Sequence, residues 1–182
     1  MARLPLPPTD TLAPEARERL DEVETRLGFV PNMLRTMAHS PALLDGYLAF
    51  SRALRRGALD EKLQHKLGLA IAEINHSSYC LSALTSAGPA AGLKPLDLKA
   101  SRVFVSLDDK ERAALRLAAD IAATRGRIND MEFRRAREAG LSDAEIVEIV
   151  GHVAINIYAN YLTTALAIEI DFPKVDPGVT MG

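Results

Sequence analysis

Cys80 is the only cysteine in the sequence, and it follows four polar residues, Asn75, His76, Ser77 and Ser78. These polar side chains compete for backbone hydrogen bonds, so they predict a break between two helices. Ser77 or Ser78 would cap the second helix, which would begin near residue 79. Cys80 would then lie in its first turn, where unpaired N–H groups and the positive end of the helix dipole stabilise a thiolate. The spacing is therefore typical of a reactive cysteine.

A simpler interpretation of the same residue remains open. A lone cysteine in an apolar helical protein often serves as a small buried hydrophobic side chain. The rate at which Cys80 reacts with a thiol probe, measured against pH, distinguishes the two interpretations, because a thiol that reacts only at alkaline pH favours the structural or ligand-binding one.

Residues 75–84 read Asn-His-Ser-Ser-Tyr-Cys-Leu-Ser-Ala-Leu and follow Ala-Ile-Ala-Glu at residues 70–73. This stretch resembles the core motif of the carboxymuconolactone decarboxylase and AhpD-like alkylhydroperoxidase superfamily, and it looks closest to the peroxidase-related branch. The family pattern is approximately Asn-x-Cys-x-Tyr-Cys-x-x-Ala-His, with an acidic residue one helix upstream. The resemblance extends from residues 28–34 to residues 169–173, so it covers most of the chain.

The motif departs from the family pattern at three positions. Ser77 stands where the first cysteine would be, Leu84 where the histidine would be, and His65 where the upstream glutamate would be. Tyr79 and Cys80 remain as in the family. The resemblance therefore implies a site built on Cys80 and Tyr79, with His65 as a base if the fold points it toward the thiol.

The resemblance also implies a reaction. The family reduces peroxides by thiolate attack, which gives a sulfenic acid that the neighbouring thiol resolves as a disulfide. Ser77 cannot form that disulfide, so an external thiol reductant would have to resolve the sulfenic acid of Cys80. The expected protein is an AhpD-like peroxidase-related enzyme that acts on a small peroxide in antioxidant defence, with a single redox cysteine and no cofactor.

Two alternatives belong to other classes of function. The first is a non-catalytic member of the fold that binds a small apolar or acidic ligand, and the second is a lactone decarboxylase. The residues expected to contact a ligand are Ser77, His76, Leu84, His152 and Asn156.

A polar stripe runs along the last predicted helix. Ser142 and Glu145 form a capping box that starts this helix, which the apolar pattern then extends to about residue 170. The helix is apolar on almost every side except at Glu148, His152, Asn156 and Asn160, which follow at four-residue steps. This stripe either lines a pocket or forms a buried hydrogen-bond network, and we favour the network, because buried polar groups are more often paired than catalytic.

The remaining sequence predicts a helical scaffold. Leu63, Leu67, Ala70, Ile71 and Ile74 recur at helical spacing, and further helices are predicted at 14–27, 33–38, 41–56, 108–125 and 130–139. No strand is predicted, since residues 103–105 are too short and isolated to form a sheet. The predicted fold is all-α, with an extended arm at residues 1–13 rich in proline and one AhpD-like domain at residues 14–182.

Composition excludes several classes of function. The chain is 48% hydrophobic and 25% charged, as in a globular protein, and its net charge of -2 gives no electrostatic basis for binding nucleic acid. No apolar run reaches the length of a membrane span and no signal peptide is evident, so a cytoplasmic location is expected.

No metal site is predicted. Helices apolar on several faces predict a homo-oligomer, and the resemblance implies a trimer or hexamer.

Overall fold

The computed structural model describes residues 2–179, and this part of the chain contains nine α-helices, one short 3-10 turn and no β-strand. The all-α fold predicted from the sequence is therefore confirmed. The helices are α1 (Pro14–Leu27), α2 (Asn32–Met37), α3 (Pro41–Leu54), α4 (Glu61–Ile74), α5 (Ser78–Ala87), α6 (Pro95–Arg102), α7 (Asp109–Thr124), α8 (Asp130–Glu138) and α9 (Asp143–Ala165).

Short polar side chains start most of these helices. Asp108 accepts the backbone N–H of residue 111, and Asn129 accepts those of residues 131 and 132. Ser142 and Glu145 form the predicted capping box at the start of α9. These side chains satisfy N–H groups that have no partner inside the helix, which is why the helices begin where the sequence predicts.

Helix α4 lies at the centre of the domain and packs against α5, α6, α7 and α9. Leu67 and Ile71 face a cluster shared with α7 and α9, whereas Leu69 and Ala72 face a second cluster that contains Tyr79 and residues of α5. All four α4 side chains are completely buried. Since both sides of α4 are buried, this helix fixes the position of whatever follows it, which is the loop before Cys80.

Helices α4 and α9 lie side by side and run in the same direction. At one end, the carboxylate of Glu148 accepts the backbone N–H groups of residues 58 and 59, just before α4 begins. At the other end, the side-chain amide of Asn75 donates to Oδ1 of Asn160 at 2.9 Å. The C-terminal half of α9 therefore lies against the Cys80 loop.

The prediction that this helix continues to about residue 170 is wrong, because α9 ends at Ala165. Ala167 adopts a left-handed conformation with φ of 48°. The N–H of Ile168 then bonds to the carbonyl of Thr163, and that of Ala167 to the carbonyl of Thr164. This pair of bonds is a Schellman motif, and it escaped prediction because alanine occupies the position that glycine usually takes.

The outer side of α9 is apolar and exposed. Val147 is 70% exposed, Val150 48% and Tyr161 62%. Phe50 of α3, whose ring lies beside Gly151 of α9, is 42% exposed. No helix of the described residues is both long and apolar enough to cross a membrane.

The N-terminal segment is fastened to the end of α9. The backbone N–H of Arg3 donates to the carbonyl of Leu166 at 2.9 Å, and its guanidinium donates to the carbonyl of Ala165 at 2.7 Å. The segment is extended apart from a 3-10 turn at Thr9–Thr11. Residue 1 of the predicted arm and residues 180–182 of the predicted domain lie outside the described residues.

Residues 171–179, here called the C-terminal strap, cross the surface next to the Cys80 loop. Glu73 Oε1 accepts the N–H groups of residues 178 and 179, at 2.5 and 3.2 Å. Its other oxygen accepts Arg102 Nε at 2.7 Å, and Arg102 also donates to the carbonyl of residue 176. Ser82 Oγ accepts the N–H of residue 175. The Glu73–Arg102 ion pair therefore holds the strap against α4 and α6.

Candidate functional site

The loop before Cys80 is a tight connection between two helices. His76 adopts a left-handed conformation with φ of 50°, and the N–H of Ser77 returns to the carbonyl of Ala72, which ends α4 in a second Schellman motif. Ser77 Oγ then accepts the N–H of Cys80 at 3.4 Å and caps α5. Cys80 therefore lies in the first turn of a helix, as predicted, and is 6% exposed.

Cys80 lies at the wall of a pocket of about 410 Å³. The pocket is bounded by α3, α5, α9, the segment before α2 and the strap, and no charged side chain lines it among the described residues. Its apolar and aromatic walls suit an uncharged organic molecule. The lining residues that matter below are Phe29, Met33, Tyr47, Tyr79, Cys80, Leu84, Asn156 and Phe172.

On the side away from the pocket, two buried hydroxyls flank Cys80. Its Sγ lies 3.8 Å from Oγ1 of Thr163, and that oxygen lies 3.2 Å from Ser77 Oγ. Ser77 is 1% exposed and Thr163 3% exposed. Ser77 thus lies behind the thiol and lines no part of the pocket.

Tyr79 contributes its ring to the pocket and uses its hydroxyl to hold the fold. The hydroxyl oxygen accepts the backbone N–H of Met33 at 3.0 Å. Phe172 packs edge-to-face on the Tyr79 ring, with the centroids 5.8 Å apart. Burial raises the pKa of Tyr79 above its usual range, so the phenol stays neutral. The geometry therefore indicates that Tyr79 forms part of the pocket wall and holds Phe172 of the strap in place.

His65 points its ring at the backbone of α5. Its Nε2 lies 2.6 Å from the carbonyl oxygen of Leu84, so a neutral ring carries its proton on that nitrogen. Burial lowers the pKa of His65, which keeps the ring neutral near pH 7. His65 does not line the pocket, whereas Leu84 does. His65 and Leu84, which stand where the family pattern has a carboxylate and a histidine, are therefore hydrogen-bonded to each other.

The other predicted ligand contacts divide between the pocket and its surroundings. Asn156 lines the pocket, and its amide nitrogen donates to the carbonyl of His152 at 2.8 Å. His152 is buried, its pKa is lowered by burial, and its Nε2 has no hydrogen-bond partner among the described residues. His76 is exposed at the helix break. Asn160 is hydrogen-bonded to Asn75. Of the predicted polar stripe, Asn160 therefore belongs to a buried hydrogen-bond network, and Asn156 lines the pocket.

Tyr47 of α3 is a candidate residue that sequence reasoning missed. It lines the pocket with Cys80. Burial, and to a smaller extent the proximity of Cys80, raises the pKa of Tyr47 above its usual range. In the sequence it stands among the apolar residues of α3, where an aromatic side chain indicates core packing. Only the tertiary fold brings it to Cys80.

The described residues contain no group of three or more histidine, cysteine, aspartate or glutamate side chains placed to hold a metal ion. Glu73 and His76 have the spacing used in helical di-iron sites. In the fold, however, Glu73 binds Arg102 and the strap, while His76 forms the turn.

Comparison with known proteins identifies the relatives of this fold. Residues 41–120 match the sequence model of the carboxymuconolactone decarboxylase family. No curated protein matches the chain. A peroxidase-related protein with an alkylhydroperoxidase AhpD core from Ralstonia eutropha JMP134 superimposes with a TM-score of 0.85 at 24% identity, covering 93% of this chain and 92% of that one.

Two further solved structures share the fold. A peroxidase-related protein from Silicibacter sp. TM1040 gives a TM-score of 0.83 at 23% identity, covering 92% of this chain and 91% of that one. A cysteine-to-alanine variant of the debrominase Bmp8, in complex with 2,3,4-tribromopyrrole, gives 0.78 at 20% identity, covering 94% and 92%. The matched family segment contains the whole Cys80 loop and its supporting helix α4. Residues 41–120 are therefore similar to the carboxymuconolactone decarboxylase family, and the chain has the AhpD-like fold of these solved structures.

Proposed function

We propose that this protein is a thiol-dependent oxidoreductase that reduces organic hydroperoxides, with Cys80 as its single redox residue. The observation that carries the proposal is the position of Cys80, in the first turn of α5 and at the wall of an uncharged pocket of about 410 Å³. The helix N-terminus favours the thiolate, and the apolar walls favour an organic peroxide over a fully hydrated one.

The first half of the cycle is nucleophilic. The Cys80 thiolate attacks the terminal peroxide oxygen, the S–O bond forms, the O–O bond breaks, and the cysteine becomes a sulfenic acid. The departing alkoxide takes a proton and leaves as the alcohol. Tyr47 is the proposed donor, because its phenol shares the pocket and its raised pKa keeps it protonated. Solvent then returns a proton to Tyr47.

The second half needs a thiol from outside the chain. One external thiol attacks the sulfenic sulfur, which gives a mixed disulfide and water. A second external thiol attacks the external sulfur of that disulfide and releases the Cys80 thiol. Each turnover therefore reduces one peroxide to an alcohol and water and oxidises two external thiols to a disulfide.

The test is peroxide consumption per subunit with dithiothreitol as reductant. Wild-type protein is expected to consume cumene hydroperoxide faster than hydrogen peroxide, and Cys80→Ser is expected to abolish the reaction. Tyr47→Phe should slow it roughly 10²-fold, the usual contribution of one general acid. Tyr158→Phe is the matched control, since Tyr158 packs against Tyr47 but does not line the pocket.

A wild type no faster than folded Cys80→Ser would overturn the peroxidase proposal. Binding of an apolar dye in the pocket, with no peroxide consumed, would instead support a non-catalytic ligand-binding member of the fold.

Reductive dehalogenation of an aromatic compound is the second candidate. The aromatic and thioether walls of the pocket favour it, as does the similarity in fold to a debrominase that binds tribromopyrrole. The Cys80 thiolate would take the halogen from carbon, the ring would take a proton, and two external thiols would release halide and regenerate Cys80 as a disulfide forms between them. Halide release from 2,3,4-tribromopyrrole with dithiothreitol, compared between wild type and Cys80→Ser, tests it.

A further inference from the structure

We propose that Thr163 is a positioning residue that, together with Ser77, holds and stabilises the Cys80 thiolate. The inference rests on the proposed function only in taking Cys80 as the reacting group. It assigns a role to two hydroxyls that lie behind the thiol and do not line the pocket.

The geometry forms a closed chain of polar atoms. Cys80 donates its backbone N–H to Ser77 Oγ at 3.4 Å, Ser77 Oγ lies 3.2 Å from Thr163 Oγ1, and Thr163 Oγ1 lies 3.8 Å from Cys80 Sγ. All three residues are buried, at 1%, 3% and 6% exposure for Ser77, Thr163 and Cys80. Hydrogen bonds in such an apolar site are stronger than hydrogen bonds to groups that water can also reach.

The protons of this chain can be assigned in both states of the sulfur. Thr163 Oγ1 also lies 2.9 Å from the carbonyl of Ala159 and 3.1 Å from that of Asn160, so beside a neutral thiol its hydroxyl donates to α9. When the thiol has lost its proton, rotation about the Cβ–Oγ1 bond of Thr163 turns the hydroxyl hydrogen toward Sγ while Oγ1 stays in place. Ser77 then donates its hydroxyl hydrogen to Thr163 Oγ1, and the backbone N–H of Cys80 donates to Ser77 Oγ. Every donor keeps an acceptor.

The surrounding side chains give the sulfur no competing charge. Tyr47 of α3 and Tyr79 of α5 are the titratable groups that line the pocket with Cys80 among residues 2–179, and burial keeps both neutral. From α9, Thr163 contacts Sγ and the uncharged Asn156 lines the same pocket, whereas His65 of α4 is turned to the carbonyl of Leu84. The hydroxyl chain and the N-terminus of α5 are therefore the groups placed to stabilise negative charge on Sγ.

The test is the rate of Cys80 alkylation by iodoacetamide, followed by mass spectrometry between pH 5 and 10. Thr163→Val keeps the shape of the side chain and removes the hydroxyl. We expect alkylation near neutral pH to slow roughly tenfold, and the midpoint of the pH profile to move up by about one unit, since one hydrogen bond to a charged group is lost. Thr163→Ser keeps the hydroxyl and should restore the wild-type profile.

A profile for folded Thr163→Val that coincides with the wild type would overturn the proposal, and so would a shifted profile for Thr163→Ser. If Thr163→Val fails to fold, Thr163→Ala carries the same test, because removing atoms creates no clash. Alkylation requires no peroxide, so the failure of the proposed peroxidase function and the failure of this inference are seen in separate measurements.

Discussion

The ion pair between Glu73 and Arg102 should control how firmly the C-terminal strap covers the pocket. Both side chains are mostly buried, at 13% and 9% exposure, and Glu73 also accepts two strap N–H groups. Glu73→Gln keeps the shape but leaves the guanidinium of Arg102 without its counter-charge. We expect the free energy of unfolding to fall by roughly 2–3 kcal/mol, as for the loss of a buried hydrogen bond to a charged group.

That loss corresponds to a decrease of about 4–12 °C in the midpoint of thermal unfolding for a chain of this size. The effect should be largest in the strap, so amide hydrogen exchange of residues 172–179 should rise more than that of α4. Because Phe172 belongs to the strap and lines the pocket, alkylation of Cys80 should also become faster.

The pH dependence supplies a second readout. Burial alone would raise the pKa of Glu73, but Arg102 and the N–H groups of residues 178 and 179 outweigh it and lower that pKa below the ordinary value of 4.5. A group with a lowered pKa in the folded state stabilises the protein above its unfolded pKa and loses this contribution as the pH falls through its folded pKa. Wild type should therefore lose stability below about pH 4.5, and Glu73→Gln should lose less there.

Glu132→Gln is the matched control, since its ion pair with Arg135 links two helical neighbours on the surface of α8. An exposed pair of this kind contributes less than about 1 kcal/mol. If Glu73→Gln and Glu132→Gln have equal unfolding midpoints and equal exchange in residues 172–179, then the ion pair does not hold the strap.

Further changes have equally definite expected outcomes. Restoring the family motif with Ser77→Cys, His65→Glu and Leu84→His should raise peroxide turnover per subunit, and a folded triple variant no faster than wild type would show that the pocket lacks the required geometry. His76→Gly should leave turnover unchanged and raise stability by roughly 1 kcal/mol in denaturant unfolding, because glycine adopts a positive φ without strain. Light scattering should give a multiple of 19.7 kDa, and Val147→Glu on the exposed side of α9 should reduce it; a monomeric wild type contradicts this. Elemental analysis of protein purified without added metal should find no stoichiometric iron, manganese or zinc.

Local sequence signals predicted the parts of the fold that depend on neighbours in the chain. The cap at Asn129, the capping box at Ser142 and the polar break before Cys80 each involve residues within four positions of one another. Their physical causes, unpaired N–H groups and competing side chains, act whatever the rest of the chain does. The placement of Cys80 in a first turn followed from them.

Contacts between distant residues could not be predicted in the same way. Glu148 stood on a polar stripe in the sequence, but its partners are backbone N–H groups about ninety residues earlier. The loop that carries these N–H groups lies so close to Glu148 that a Cβ on Gly57 would overlap the carboxylate. Tyr47 and Thr163 likewise reach Cys80 from α3 and α9, and nothing in the local pattern of either helix indicates the approach.

Position 77 can either cap helix α5 or resolve the sulfenic acid of Cys80, and no single side chain does both well. As a serine it caps α5 and belongs to the hydroxyl chain behind the sulfur, whereas as a cysteine it would resolve the sulfenic acid. A thiol is a poor helix cap, so a Cys-x-x-Cys loop in its reduced form should be less stable than this one by about 1 kcal/mol. A chain that gives up the second thiol therefore gains a firmer loop and becomes dependent on the thiols of its surroundings.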